Sequence, residues 1–328
     1  MKITMAHGSG GQETAALIEQ VFASRFQNPV LAKMEDAAVV PGAHRLAITT
    51  DSFVVTPLFF PGGDIGRLSV CGTVNDLLMS GATPKYLTCG FILEEGLELS
   101  ELERIAASMA DTAREAGVSV VAGDTKVVEG KGGIYVNTAG VGFVPIDREL
   151  GADQCREGDV LLLSGTLGDH HAAILSARMG IENEIRSDCA PLCEGVATLF
   201  EAGVRVKAMR DVTRGGLATV LNEWAHQSGH GIRLEEEALP VSKEVEAFCG
   251  ILGLDPLTMG NEGKFVVAVA KQDEDRALAA LKAARYCSRA SVIGRVEGPS
   301  EAGVRMNTRL GGTRRVPTLY GEGLPRIC

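Results

Sequence analysis

Four short acidic stretches carry the first indication of chemistry: Glu35-Asp36-Ala37-Ala38, Thr50-Asp51-Ser52, Val74-Asn75-Asp76 and Gly123-Asp124-Thr125. Carboxylates drawn from separate elements offer the hard oxygen donors that Mg2+ prefers, and Mg2+ held in this way clamps nucleotide phosphates. Asp36, Asp51, Asp76 and Asp124 are therefore candidate metal ligands, with Asn75 beside them as a candidate nucleotide contact; taken singly each acid reads more simply as a helix cap or turn former, and it is the set that points to a metal. Upstream, His7-Gly8-Ser9-Gly10-Gly11-Gln12-Glu13 sets a glycine cluster before a helix. Backbone N–H groups and a helix dipole can hold phosphate oxygens there, which makes Gly8, Gly10 and Gly11 candidate nucleotide contacts; a plain N-terminal arm is the other reading. The cluster is not a dinucleotide fingerprint, because Glu13 takes the third glycine position, and no G-x-x-x-x-G-K-[ST] occurs in the chain.

In the second half, Asp211-Val212-Thr213-Arg214-Gly215-Gly216 follows a strand and opens a helix. Thr213 could cap that helix while Arg214 presents a bidentate cation to phosphate, or the segment could be a simple capping turn. Gly260-Asn261-Glu262-Gly263-Lys264 sets a carboxylate between glycines, where close backbone packing could hold Glu262 in a cleft as a general base. His226 and His230 after Glu223 do not form a metal motif: Ser228 and Gly229 end the helix between them, and the Glu lies outside the pair. Adjacent His170 and His171 cannot both face one site from a helix. The stretch Tyr320-Gly321-Glu322-Gly323-Leu324-Pro325-Arg326-Ile327-Cys328 cannot be helical and puts a thiol at the chain end. Extended, its last eight residues reach roughly 26 to 29 Å, enough for an arm that visits a site.

These groups need elements to position them. Leu17, Ile18, Val21 and Phe22 have helical spacing, Leu46 to Thr50 predicts a strand ending at Asp51, and Leu68, Cys71 and Leu78 predict a helix over 66–80 that carries Asn75 and Asp76. A helix up to Gly117 precedes a strand over 118–122 and a turn Gly123-Asp124-Thr125-Lys126; a strand follows over about 134–144. The second half predicts strands near 159–164, 204–209, 264–270 and 290–296, and helices over 170–179, 191–202, 216–228 and 273–285. Both halves are thus mixed α/β, and the domains are placed at 1–148 and 149–319, with a tail over 320–328. A chain of 328 residues carries a soft prior of two domains.

Composition narrows the function classes. With 32 Lys+Arg against 42 Asp+Glu the net charge is −10, the wrong sign for binding nucleic acid or anionic membrane. Met1-Lys2-Ile3-Thr4-Met5 lacks the apolar run of a signal peptide, and no segment is long enough to span a bilayer, so a cytoplasmic protein is expected. Eight cysteines without a Cys-x-x-Cys indicate neither zinc ribbon nor redox pair; most should be small buried apolar residues.

Taken together, the sequence resembles the HypE family of hydrogenase maturation factors, within the wider group of aminoimidazole ribonucleotide synthetase-like and selenophosphate synthetase-like ATP enzymes. The resemblance runs over essentially the whole chain. It rests on His7-Gly8-Ser9-Gly10-Gly11, Thr50-Asp51-Ser52-Phe53, Phe60-Pro61-Gly62-Gly63-Asp64-Ile65-Gly66, Gly72-Thr73-Val74-Asn75-Asp76-Leu77, Gly123-Asp124-Thr125-Lys126, Asp211-Val212-Thr213-Arg214-Gly215-Gly216, Asn261-Glu262-Gly263 and Pro325-Arg326-Ile327-Cys328. The terminal motif is the most specific, since the related synthetases lack a terminal Cys carrier.

The resemblance implies a two-domain aminoimidazole ribonucleotide synthetase-like fold, with N-terminal domains pairing through their strands in a homodimer. It implies ATP and Mg2+ at Asp36, Asp51, Asp76 and Asp124, roles for Lys126 and Glu262 in a dehydration, and a shared second-domain motif at Asp211, Thr213 and Arg214. The implied activity is ATP-dependent dehydration of an S-carbamoyl group on Cys328 to S-cyanide, which supplies the cyanide ligands of the [NiFe]-hydrogenase iron. The implied partners are the carbamoyltransferase HypF and the HypC–HypD iron scaffold. Two other readings remain: a synthetase acting on a free small molecule leaves Cys328 without a role, and a non-catalytic thiol scaffold leaves the acids unexplained.

Overall fold

The computed structural model describes residues 1–35, 37–299 and 303–318 of the chain. Asp36 and the tail with Cys328 lie outside the described residues.

Among the described residues, apolar periodicity resolves into two large sheets joined by a shared hydrophobic cluster, with a two-stranded ribbon of Phe59–Phe60 and Gly63–Asp64 beside them. The first has four strands in the order Leu46–Phe53, Ile134–Phe143, Thr83–Glu94, Ser119–Val128. The last two run parallel, joined by a crossover helix, while the other pairs are antiparallel. The helices in chain order are α1 (Gln12–Leu17), α2 (Ile65–Met79), α3 (Leu99–Ala116), α4 (Asp169–Met179), α5 (Cys193–Glu201), α6 (Gly216–Ser228), α7 (Lys243–Leu252) and α8 (Glu274–Ala283). The second sheet has seven strands, with Val160–Leu163 and Phe265–Val269 buried along their whole length near its centre. A parallel pairing occurs there between Val304–Asn307 and His230–Glu235.

Helix α3 is amphipathic in the ordinary way, with Leu102, Ile105, Ala106, Met109 and Ala113 buried and Gly117 ending it at φ 70°. Helix α2 is different: every residue except Arg67 and Asp76 is buried. It packs on the first sheet and α3 on one side, and on α5 and the strand Val206–Asp211 of the second half on the other. A helix that is apolar all round must lie inside, and this one is the axle between the halves. A single hydrophobic cluster accordingly runs from Phe53, Leu68 and Val74 to Leu192, Phe265 and Val267.

Polar contacts fix the angle between the halves. Arg67 Nε donates to the carbonyl of Cys189 (2.8 Å) and its Nη1 reaches Glu115 (2.9 Å), which also accepts from the Tyr286 hydroxyl (2.5 Å). Asn75, buried in α2, donates to the carbonyl of Ala190 (3.1 Å) and accepts from the N–H of Leu192 (2.9 Å).

Several sequence expectations need correction. Asp51 does not end its strand, which continues to Phe53 because its neighbour Ile134–Phe143 pairs with it throughout. Gly123-Asp124-Thr125-Lys126 is not a turn: parallel pairing to Cys89, Gly90, Phe91 and Ile92 carries the strand through it to Val128. Thr213 makes no side-chain cap to α6; Gly215 is the cap residue and Thr213 accepts the Gly216 N–H with its carbonyl oxygen (3.0 Å). The strand Thr83–Glu94, interrupted in sequence by Pro84 and Gly90, was not anticipated, nor were His230–Glu235, α7, Val304–Asn307 and Thr313–Arg315. Six of the seven described cysteines are buried, as expected of small apolar residues.

Gly216 opens α6 at φ 64°, and a Cβ there would run into the carbonyl oxygen of Leu257. Gly216→Ala should therefore destabilise the chain by about 1 to 3 kcal/mol, seen as a lowered midpoint in urea unfolding, whereas an unchanged midpoint would show that this turn tolerates a side chain.

Candidate active site

Four carboxylates meet where α2 crosses the second half. Asp51 turns toward α2, its Oδ2 close to Gly72. Asp76 projects from α2 and accepts a hydrogen bond from the Thr49 hydroxyl (2.8 Å). Asp211 ends the strand Val206–Asp211, and Glu262 follows Asn261 in the loop before Phe265; both are buried. Asn261 locks that loop by donating to the carbonyls of Val212 (3.0 Å) and Met259 (3.1 Å) and accepting the Gly168 N–H (2.7 Å).

Burial with like charge governs the electrostatics. Burial raises the Asp51 carboxyl, opposed by the Ser52 N–H and Arg214. Burial raises Asp76 as well; the Thr49 hydroxyl lowers it, Asp51 raises it and Arg210 lowers it. Asp211 is pushed up to about 7 by burial and then by Asp76, with Arg210 opposing. Burial holds Glu262 well above the ordinary carboxylate range, with Cys189, Asp211, Asp188 and Asp51 adding to it. Each acid lacks the countercharge that would let it ionise freely.

That shortage is the test of whether Mg2+ suits the group. All the donors are carboxylate oxygens, the hard ligands the ion selects, and a divalent cation would offset the repulsion. Among the described residues, no three His, Cys, Asp or Glu side chains form a ready cage. Mg2+ usually takes one or two carboxylates together with phosphate oxygens and water. Asp51 and Asp76 fit that habit.

Lys126 and Asp124 stand elsewhere. In register, Ser52 pairs with Asn137, Asn137 with Gly90 and Gly90 with Asp124, so these four residues share one face of the sheet. Asp51, one residue before Ser52, points to the other face, because side chains alternate along a strand. Within one chain the sheet separates Asp124 from Asp51. Lys126 Nζ pairs with Asp124 (3.2 Å), both largely exposed. They border a cavity of about 280 Å3 that includes Gly8, Gly10, Phe22 and Phe91 in its walls. Gly8 lies against the strand at Val127, where a Cβ would come within 2.7 Å of the Val127 nitrogen. Gly11 is the cap residue of α1, and Gly10 donates to the Thr14 hydroxyl (3.0 Å).

The remaining candidates have other surroundings. Asn75 spends its amide on the contact between the halves: besides Ala190 and Leu192, its Nδ2 reaches the Glu262 backbone carbonyl (3.4 Å), which ties the loop of that acid to α2. Arg214 is exposed and acts electrostatically on Asp51. His226 lies in α6 and His230 in the following strand, as the helix-ending Ser228-Gly229 implied. His170 meets the Ser187 hydroxyl (2.7 Å), while His171 lies against Gly260 with its own N–H on the Gly260 carbonyl (3.2 Å). Sequence reasoning missed Asp188, Lys264, Arg210 and Arg67. Asp188 belongs to no motif, and Lys264 was legible only as the neighbour of Glu262.

The chain matches the family profiles of AIR synthase related protein, N-terminal domain, over residues 34–144 and C-terminal domain over 156–307. It is 50% identical to carbamoyl dehydratase HypE of Rhodobacter capsulatus, over 100% of this chain and 98% of that protein. Its structure is similar to that of the hydrogenase maturation protein HypE in complex with ATP, with a TM-score of 0.95, 45% identity and 99% of each chain covered. A HypE–HypF complex gives a TM-score of 0.80 at 46% identity, over 93% of this chain and 100% of that one.

The raised Asp211 carboxyl sets a pH dependence. Unfolded, this group titrates near 3.8; folded, near 7. Between these values the folded chain keeps a proton that the unfolded chain has released, so stability falls as pH rises through that window and levels off above it. In buffer free of nucleotide and divalent metal, Asp211→Asn should match wild type near the bottom of the window and be more stable above it, by up to about 4 kcal/mol. Urea unfolding at a series of pH values reads this directly, and a less stable variant at the upper end would contradict the buried-charge account.

Proposed function

The chain belongs to the HypE family of carbamoyl dehydratases, and on that premise we propose that it uses ATP to remove water from an S-carbamoyl group on its own Cys328. The product is an S-cyanide, the source of the cyanide ligands on the iron of a [NiFe]-hydrogenase. Hydroxide is a poor leaving group, and surrounding water opposes dehydration. If the amide oxygen attacks the γ-phosphate of ATP, ADP departs and the oxygen becomes part of a phosphate ester; breaking the C–O bond then releases phosphate as C≡N forms and two nitrogen protons leave.

The buried Glu262 carries this reading. A carboxyl held well above its usual pKa is, once ionised, a strong base in a place that excludes water. Lys126 supplies positive charge for the oxygen or the phosphate. Gly8, Gly10 and Gly11, with Thr213 and Arg214, are assigned to the nucleotide, and Asn75 supports the acids by fixing α2. Asp36, Asp51, Asp76 and Asp124 are the residues that would hold Mg2+, which when bound supplies countercharge to the triphosphate. Cys328 enters as the carrier thiol of a tail over 320–328, beyond domains at 1–148 and 149–319.

A homodimer joined through the first sheet brings the separated groups together. The sheet face away from α2 exposes Leu46, Ile48, Ile92 and Tyr135, an apolar surface suited to a second copy. Leu46–Phe53 and Ser119–Val128 are the two edges of that sheet. In face-to-face pairing about a twofold axis that runs along the strands, the Asp51 edge of one protomer lies beside the Asp124 and Lys126 edge of its partner. The carbamoyl donor in this scheme is a HypF-type carbamoyltransferase, and the acceptor of cyanide is a HypC–HypD iron scaffold. No described helix is long and apolar enough to cross a membrane.

Intact mass spectrometry tests the reaction. After loading by a HypF carbamoyltransferase, the adduct should lose one water when Mg-ATP is added, and Cys328→Ala should take no adduct. A carbamoyl adduct that persists with Mg-ATP refutes the proposal. For the assembly, Ile48→Lys should convert a dimer to monomer by light scattering and lower ATP turnover at least about tenfold, a charge in an apolar interface being worth several kcal/mol; a dimer that survives this change would move the interface elsewhere.

A further inference from the structure

The segment Ser187–Leu192, between α4 and α5, is bonded to both halves of the molecule. On the first-half side the Ser187 N–H donates to the Pro61 carbonyl (2.7 Å), Arg67 Nε reaches the Cys189 carbonyl (2.8 Å), and Asn75 holds Ala190 and Leu192. On the second-half side the Asp188 carboxylate accepts from three consecutive residues: the N–H of Glu262 (3.1 Å), the N–H of Gly263 (3.2 Å) and Lys264 Nζ (3.1 Å). The Asp188 and Lys264 side chains are 3% and 8% exposed, so this is a buried, doubly hydrogen-bonded ion pair. A Cβ on Gly263 would run into the Asp188 carbonyl oxygen, which leaves the two segments no slack.

From this arrangement we propose that Asp188 is a positioning residue for the dehydration: its carboxylate holds the backbone of Glu262 and ties the reach of that side chain to the seat of α2. The inference rests on Glu262 serving as the base. Asp188→Asn keeps one acceptor oxygen for two buried backbone donors and leaves Lys264 without its countercharge, on the Gly263 carbonyl alone. The loop that presents Glu262 must then shift, and misplacement of a reacting group by about 1 Å costs on the order of 10²-fold in rate.

The test uses the full-length protein loaded with a carbamoyl group, with single-turnover water loss followed by mass and ATP consumption followed in parallel. Asp188→Asn should lower the rate of water loss on the order of 10²-fold while the KM for ATP stays within about twofold. The double variant Asp188→Asn/Glu262→Gln should be no slower than Glu262→Gln alone, because both changes act through one group. A folded Asp188→Asn that works at the wild-type rate overturns the proposal, as does a double variant whose loss is the product of the two single losses. If Asp188→Asn does not fold, Asp188→Asn/Lys264→Met removes both charges together and should show the same loss; a wild-type rate there also overturns it. Undiminished water loss in Glu262→Gln is a separate result, which removes the base assignment itself and this inference with it.

Discussion

Negative charge crowded into a dry junction is the constraint around which this molecule is arranged. Burial raises the carboxyls of Asp51, Asp76, Asp211 and Glu262, and the Asp51 charge adds to the rise of the other three, with Arg210 and Arg214 as the opposing cations. Such a group persists only where the surrounding packing over-determines it, and the packing here is correspondingly rigid. Helix α2 is buried along nearly its whole length, and its two partly exposed side chains, Arg67 and Asp76, are both committed to the junction.

Rigidity at the junction is shared between carbon and polar contacts. The continuous core through Phe53, Val74, Leu192 and Phe265 makes the two halves one packed body, since interiors of this density do not deform smoothly. Polar contacts then set the angle: Arg67 bridges Cys189 and Glu115, and Asn75 fastens Ala190 and Leu192. The segment over 187–192 receives these contacts from one side and hands them through Asp188 to the Glu262 loop on the other. In this way a carboxyl far along the sequence is registered against a helix from the first half.

The two faces of the first sheet divide the remaining work. One face lies on α2 and carries Asp51; the opposite face carries Ser52, Asn137 and Asp124 in register and exposes Ile48 and Ile92. A period of two along a strand makes this separation absolute within a chain. In the proposed homodimer, a second copy on the open apolar face brings these separated groups together.

Much of this was legible in the residues. Helical spacing gave α2, α3 and α6 to within a few residues, the motifs gave the family, and Glu262 between glycines marked the loop that Asn261 locks. Strand pairing was harder to read: Gly123-Asp124-Thr125-Lys126 has turn composition but lies in a strand because a parallel neighbour supplies hydrogen bonds along it. Asp188 gave no signal at all, since its importance lies in which backbone donors fold onto it. The sequence by itself determined which groups exist and which elements carry them, because propensity and periodicity are local. Tertiary structure alone decided which of those groups share a space and which stand on opposite faces, because burial, charge repulsion and register arise only when distant segments meet.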